Sequence, residues 1–242
     1  MVELHGREYP QLSGLWDFLD RDDVTAVVVF GSVARGDSAA SSDFDVLVVV
    51  EDRAARRALV EDLDRSHRSF PWPLVLSRDA LLDEVQARPS FVSHLLDEGV
   101  VVYGEQAWND LRAELLPSSH DEKALDRELR SRAGHLAPFA RPERFVNSPV
   151  TALSQIYAIA RSIVIVRLLQ EDIHEYSWQR VFDAYAEVRP DLRGELQSLK
   201  ALRPYYESAR AGTAMALQTR PVGTDEVHDL VTYVSHLAGC AT

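Results

Sequence analysis

The residues best suited to chemistry lie between Val27 and Asp45. An apolar, largely β-branched run closes on Gly31-Ser32, and a small-residue loop then leads to Asp43 and Asp45. Glycine lets backbone N–H groups come close to a phosphate, and the open amides at the start of a helical turn favour its negative charge. The Ser32 hydroxyl adds a donor, and Arg35 is placed to steady either phosphates or carboxylates. Two aspartates one residue apart at the head of a strand share a face, with Phe44 on the other. Hard oxygen ligands beside a phosphate cradle suit Mg²⁺. Paired aspartates by themselves commonly only solvate a strand entrance. It is the compound order (strand, Gly-Ser, short turn, Asp-x-Asp, strand) that favours a phosphate and metal site.

A second group of residues sits far along the chain, in Trp178 to Glu187. Asp183 and Glu187 are four apart and share a face if the segment is helical. A carboxylate of this kind can take a proton from an attacking hydroxyl, and an indole face can stack on a sugar or a cation. The plain alternative is a solvated helix face with a packed tryptophan at its start.

The elements needed to position these residues follow from periodicity. Leu12 to Leu19 predicts a short helix, Val24 to Phe30 a buried strand and Phe44 to Val50 a second strand. Arg53 to Arg65 predicts a helix, Leu74 to Leu76 a short strand, Asp79 to Ala87 a helix, and Gly99 to Gly104 a final edge strand. From Asp121 onward the pattern is helical throughout: Asp121 to Phe139, Pro149 to Gln170, Trp178 to Val188, Leu192 to Ala211 and Thr224 to Leu237. The composition shifts at Leu116-Pro117-Ser118-Ser119. The expected organisation is an α/β (α+β) domain with a mixed sheet over residues 1–116, followed by an all-α helical bundle over 117–242.

Gly31-Ser32 followed by Asp43-x-Asp45 resembles the signature of the nucleotidyltransferase superfamily related to polymerase β, over roughly the first half of the chain. The resemblance implies metal-dependent transfer of a nucleoside monophosphate from a triphosphate, most simply ATP, to a hydroxyl, with release of pyrophosphate. It assigns Gly31 and Ser32 to phosphates and Asp43 and Asp45 to Mg²⁺. The family usually carries a third carboxylate on the next core strand, but Ser69 to Ser77 contains no acid and Asp79 lies beyond it. The acceptor's base then comes from the helical half, or the enzyme is degenerate. The Trp178, Asp183, Glu187 spacing is similar to that in the helical domain of streptomycin/spectinomycin adenylyltransferases, as are the two-domain layout and the length. That likeness makes Trp178 and Asp183 acceptor contacts, Glu187 the base, and the acceptor a small, cationic, polyhydroxylated molecule of the aminoglycoside type, with a role in antibiotic resistance. An antitoxin-like transferase that modifies a partner protein and a nucleotide-binding module without activity are the competing expectations.

The bulk numbers agree with a small-molecule enzyme. The 242 residues carry a formal net charge of -12, which repels nucleic-acid backbones and draws cations. The single cysteine, Cys240, excludes an internal disulfide and a cysteine-based metal site. Neither a signal peptide nor a membrane span is expected, since the run Ile156 to Leu169 is short and holds Arg161 and Arg167; a cytoplasmic protein is the natural expectation. Arg130 and His135 are spaced as in HEPN-type ribonucleases, but residues five apart share a helix face poorly, so a surface helix is expected there. Glu171 to Glu175 reads as a solvated turn rather than a metal site.

Overall fold

The computed structural model describes residues 3–4, 7–8, 13–37, 44–66, 72–116, 121–145, 149–210 and 223–239. Asp43, Ser148, Ala211, Cys240 and the Pro117-Ser118-Ser119 stretch lie outside the described residues. The chain divides into two compact units, Met1–Ala124 and Leu125–Thr242.

Unit one is built on a four-stranded mixed sheet. After a two-residue pair of short strands, β1 (Glu3–Leu4) and β2 (Arg7–Glu8), comes helix α1 (Ser13–Leu19) and the central strand β3 (Val24–Phe30). A five-residue helix, α2 (Gly31–Arg35), leads towards β4 (Asp45–Val50), and α3 (Arg53–Arg65) connects on to β5 (Leu74–Ser77). Helices α4 (Arg78–Ala87) and α5 (Pro89–Glu98) precede β6 (Val100–Tyr103), and α6 (Glu105–Leu115) closes the unit. The order across the sheet is β5-β4-β3-β6, with β4 and β5 parallel and the other pairs antiparallel.

β3 and β4 read as unbroken apolar runs because both faces of the sheet are covered. Val27, Val29, Val46 and Val48 pack with Leu15 of α1 and with Leu59 and Leu63 of α3. Ala26, Val28, Leu47 and Val49 pack on the opposite face with Leu81, Leu95, Trp108 and Leu111 of α4, α5 and α6. The sequence pattern anticipates the four strands of the main sheet, β3 to β6, and helices α1, α3 and α4. It does not anticipate β1, β2, α5 or α6. Pro89, at the first position of α5, is the start signal that was there to be read.

Unit two is helical among its described residues. It contains the part of α7 (Glu122–Gly134) from Leu125 onward, and α8 (Pro149–Gln170), α9 (Val181–Val188), α10 (Arg193–Lys200), α11 (Arg203–Arg210) and α12 (Thr224–Leu237). Ile156, Ile163 and Val164 of α8 pack with Phe182 of α9, Leu196 and Leu199 of α10, and Val227, Leu230 and Val234 of α12. Three predicted helices are shorter than expected. The first ends at Gly134 and gives way to a 3₁₀ turn at Ala137–Ala140. The Leu192 to Ala211 segment breaks into α10 and α11, because Pro204 has no N–H to continue the ladder and stands near the start of α11. Trp178 lies in a turn, three residues before α9 begins.

The apolar run Ile156 to Leu169 sits inside a longer helix, α8. It has 22 residues, and Val150–Gln170 is long and apolar enough to cross a bilayer by length and composition, with a mean hydropathy of 1.5 and 61% of that stretch buried inside the fold. Its apolar character has a local explanation, since the helix lies in the core of its unit. Arg161 donates to the Tyr176 carbonyl at 2.5 Å and Arg167 to the Leu237 carbonyl at 2.8 Å, so both cations serve contacts inside that unit.

Candidate active site

The register of β3 against β4 explains why the glycine turn and the aspartate motif meet. Phe30 pairs with Asp45, so the turn that follows Phe30 begins directly beside the carboxylate. Gly31 has φ +74°, and a Cβ placed on it would fall 2.5 Å from Asp45 Oδ2. Side chains at such a φ are strained, and here the space is also taken by the carboxylate, so glycine is required twice over. Asp45 is half-buried, on the sheet face that also carries Leu47. Gly36, with φ +77°, ends α2, its N–H reaching the carbonyls of Ser32 and Val33. Ser32 is half-exposed, at the second position of α2.

Arg35 is held by carboxylates. Its Nη1 donates to Glu98 Oε2 at 2.5 Å and its Nε to Asp37 at 3.3 Å. His94, one turn before Glu98 on α5, lies 2.6 Å from the same Glu98 oxygen and meets the Phe30 ring edge-on at 5.7 Å. The arginine and glutamate side chains are only 16% and 14% exposed, so the pair is largely shielded from water. This latch ties the turn containing Gly31-Ser32 to α5. Sequence reasoning missed His94 and Glu98; their i,i+4 spacing was legible, but nothing in the sequence aimed them at α2.

The oxygen donors expected for a metal are Asp43 and Asp45. Asp43 is outside the described residues, and among the described residues no three histidine, cysteine or acidic groups converge on a common point. The strand beside β4 is β5, Leu74–Ser77, and it carries no carboxylate.

In unit two, Asp183 and Glu187 lie on α9 as the spacing predicts, Asp183 half-buried and Glu187 exposed. Asp183 receives the Lys200 ammonium at 2.6 Å, and the Arg203 guanidinium lies over the Trp178 ring at 3.1 Å. Nearby, Tyr157 is buried with its hydroxyl in no hydrogen bond among the described residues, and burial pushes that phenol above its ordinary range. Arg130 is exposed on α7 and His135 is exposed past that helix's end. In the Glu171 to Glu175 segment, Glu175 accepts from the Ser177 N–H, as a turn-forming side chain does.

Residues 12–103 match the family model described as a nucleotidyltransferase domain. With the mixed sheet and the Gly31–Asp45 corner, the match gives unit one the features of a nucleotidyltransferase domain over residues 12–103. Among solved structures it is similar to the spectinomycin adenyltransferase AAD(9) from Enterococcus faecialis, determined with ATP and spectinomycin. That match has 14% identity and a TM-score of 0.54, and it covers 96% of this chain and 100% of that one. The likeness is one of fold, a nucleotidyltransferase domain followed by helices. A toxin-antitoxin structure with AMP-PNP matches 45% of this chain and 86% of its own, at 16% identity and a TM-score of 0.32. No curated protein matches the sequence.

Proposed function

We propose that this enzyme moves AMP from ATP to a hydroxyl of a small, cationic, polyhydroxylated acceptor of the aminoglycoside type. The observation that carries the reading is the Asp45 carboxylate seated against Gly31, where only a residue without a side chain fits. An acid fixed beside a glycine turn is what a nucleotide triphosphate and its counter-ion need at close quarters. Asp45, with Asp43, fits Mg²⁺ because both are hard oxygen donors and one of them is held half-buried at the phosphate turn. When bound there, Mg²⁺ supplies positive charge against the triphosphate.

The residues of the chain divide the remaining work. Gly31 and Ser32 present donors to the phosphates. Arg35, through Glu98 and Asp37, holds their turn in place, in addition to any reach it has towards the nucleotide. The acceptor oxygen attacks the α-phosphorus, the bond to the bridging oxygen of the β-phosphate breaks, and pyrophosphate leaves. Glu187 takes the hydroxyl proton in this reading, and Trp178 and Asp183 contact the acceptor. Support for the last pair is that each already holds a cation of the chain itself, Arg203 and Lys200 respectively. An acceptor guanidinium or ammonium has the chemistry to replace them.

Pyrophosphate release from Mg-ATP, with and without streptomycin or spectinomycin, tests the proposal. Release that depends on acceptor, and that is lost in Asp45→Ala and Glu187→Ala, is the expected result. Release that survives Glu187→Ala removes that residue as the base and leaves the transfer reaction standing. Nucleotide binding without release under any acceptor defeats the proposal in favour of a protein acceptor or an inactive module. Cytoplasmic residence belongs to the same proposal, because ATP and Mg²⁺ are supplied there.

A further inference from the structure

His94 is a half-buried side chain that the proposed reaction does not use. Phe91, His94 and Glu98 stand at i, i+3 and i+7 on α5, so they form one stripe along a single face of that helix. The stripe meets both ends of the five-residue helix α2. At the start, the Phe30 ring, immediately before Gly31, meets Phe91 edge-on at 6.0 Å and His94 edge-on at 5.7 Å. At the end, Arg35 Nη1 donates to Glu98 Oε2 at 2.5 Å. Phe30 is also the residue that pairs with Asp45 across the sheet.

The hydrogen bonds of the stripe define what the imidazole does. His94 Nε2 lies 2.6 Å from Glu98 Oε2 and 3.5 Å from Arg35 Nη1. A guanidinium has donors only and a carboxylate accepts, so the bond at 2.6 Å puts the proton on Nε2. One glutamate oxygen therefore takes two N–H donors, one from its own helix and one from α2. The His94 and Glu98 side chains are 19% and 14% exposed, so water competes little for that oxygen. A glutamate left to itself samples many rotamers. The imidazole one turn back, braced against Phe30, selects the one that faces Arg35.

We propose that His94 is a positioning residue for the nucleotide: its Nε2–H holds Glu98 towards Arg35 while its ring braces Phe30, and α5 thereby fixes the Gly31-Ser32 turn at both ends. This inference rests on the reading of that turn as the phosphate site and adds the residue that sets its geometry. It also commits Arg35, whose Nη1 and Nε are taken by Glu98 and Asp37, to holding the turn. Donors aimed at a phosphate are effective only when their neighbours hold them in place beforehand, so loosening this brace costs nucleotide affinity.

The test is calorimetric titration of the full-length protein with Mg-ATP, without acceptor, in wild type, His94→Gln, His94→Asn, Val85→Ala and Asp45→Ala, each with a thermal melt. Glutamine puts an N–H donor where Nε2 stands, whereas asparagine is one methylene too short to reach Glu98. His94→Asn is expected to raise the Kd for Mg-ATP about tenfold, and His94→Gln to stay within about threefold of wild type. Val85→Ala hollows the core of the same unit on α4. It is expected to lower Tm at least as much as His94→Asn, with Kd changed less than about twofold. A merely structural His94 would not separate glutamine from asparagine in this way. His94→Ser, polar and shorter still, takes the place of His94→Asn should that variant not fold. If Asp45→Ala loses Mg-ATP binding while both His94 variants keep the wild-type Kd, the brace is refuted and the phosphate reading stands. If the two His94 variants weaken binding equally, or Val85→Ala weakens it as much as His94→Asn, the donor role is overturned. If wild type does not bind Mg-ATP, the brace falls together with the reading of the turn.

Discussion

Two acidic constellations sit in the two units, and they are held by different physics. Asp45 is at the head of a paired strand, opposite Phe30, with its carboxylate in the space a Gly31 side chain would occupy. Its position follows from strand register and from one backbone angle that glycine adopts without strain. Asp183 and Glu187 stand on an eight-residue helix, one paired with Lys200 and the other exposed. Their position follows from helix periodicity alone, which brings side chains to one face without fixing what they meet. The first arrangement leaves few geometric alternatives; the second suits exchange, since an ion pair at a surface is cheap to open.

The comparison can be broken most forcefully at Gly31. Gly31→Ala meets both a φ of +74° and a carboxylate oxygen at 2.5 Å, so it should cost about 1–2 kcal/mol in backbone strain alone. Displacing Asp45 by about an ångström should lower turnover about a hundredfold or more. Urea unfolding and pyrophosphate release read the two effects; a variant with wild-type turnover would contradict the geometry. Glu98→Gln comes next, because it leaves Arg35 largely shielded with a weakened partner. Exposed pairs contribute about 0–1 kcal/mol and the breaking of buried ones costs about 3–5 kcal/mol, so about 1–3 kcal/mol is expected by urea denaturation. An accompanying rise in the Mg-ATP KM would show that the latch positions the Gly31-Ser32 turn.

Two smaller effects sharpen the picture of the helical unit. Tyr157→Phe removes a buried hydroxyl that makes no hydrogen bond among the described residues, so stability should hold or rise by up to about 1 kcal/mol. The pH dependence has a definite sign. Burial raises the folded-state pKa of Tyr157, so its contribution is fully present below the unfolded value of about 10 and is lost as pH rises above it. The variant should therefore lose less stability than wild type in alkaline urea titrations. Lys200→Ala should change stability least, by no more than about 1 kcal/mol, because the pair with Asp183 is partly exposed. If Asp183 binds an acceptor ammonium, removing this competing cation lowers the acceptor KM; an unchanged or higher KM argues that Asp183 serves the fold only.

The same contrast explains what the sequence made legible. The strands β3 and β4 were plain because sheets covered on both faces demand continuous apolar runs, and Gly31-Ser32 with Asp45 was plain because the motif and the register are one feature. Helices α5 and α6 were not: each starts against a breaker, Pro89 at the first position of α5 and Gly104 just before α6, which reads as a loop signal. The break before Arg203 is legible in Pro204, at the second position of α11. The partners of Arg35 could not be read at all: Glu98 lies 63 residues away, and tertiary packing alone brings α5 against α2.

The most direct test of the account follows the label from ATP marked at either the α- or the γ-phosphate, with Mg²⁺ and streptomycin or spectinomycin, in wild type and Asp45→Ala. The account predicts that the α-label passes to the acceptor, that the γ-label leaves as pyrophosphate, and that Asp45→Ala abolishes both. Transfer of the γ-label to the acceptor, or transfer that persists in Asp45→Ala, would contradict it.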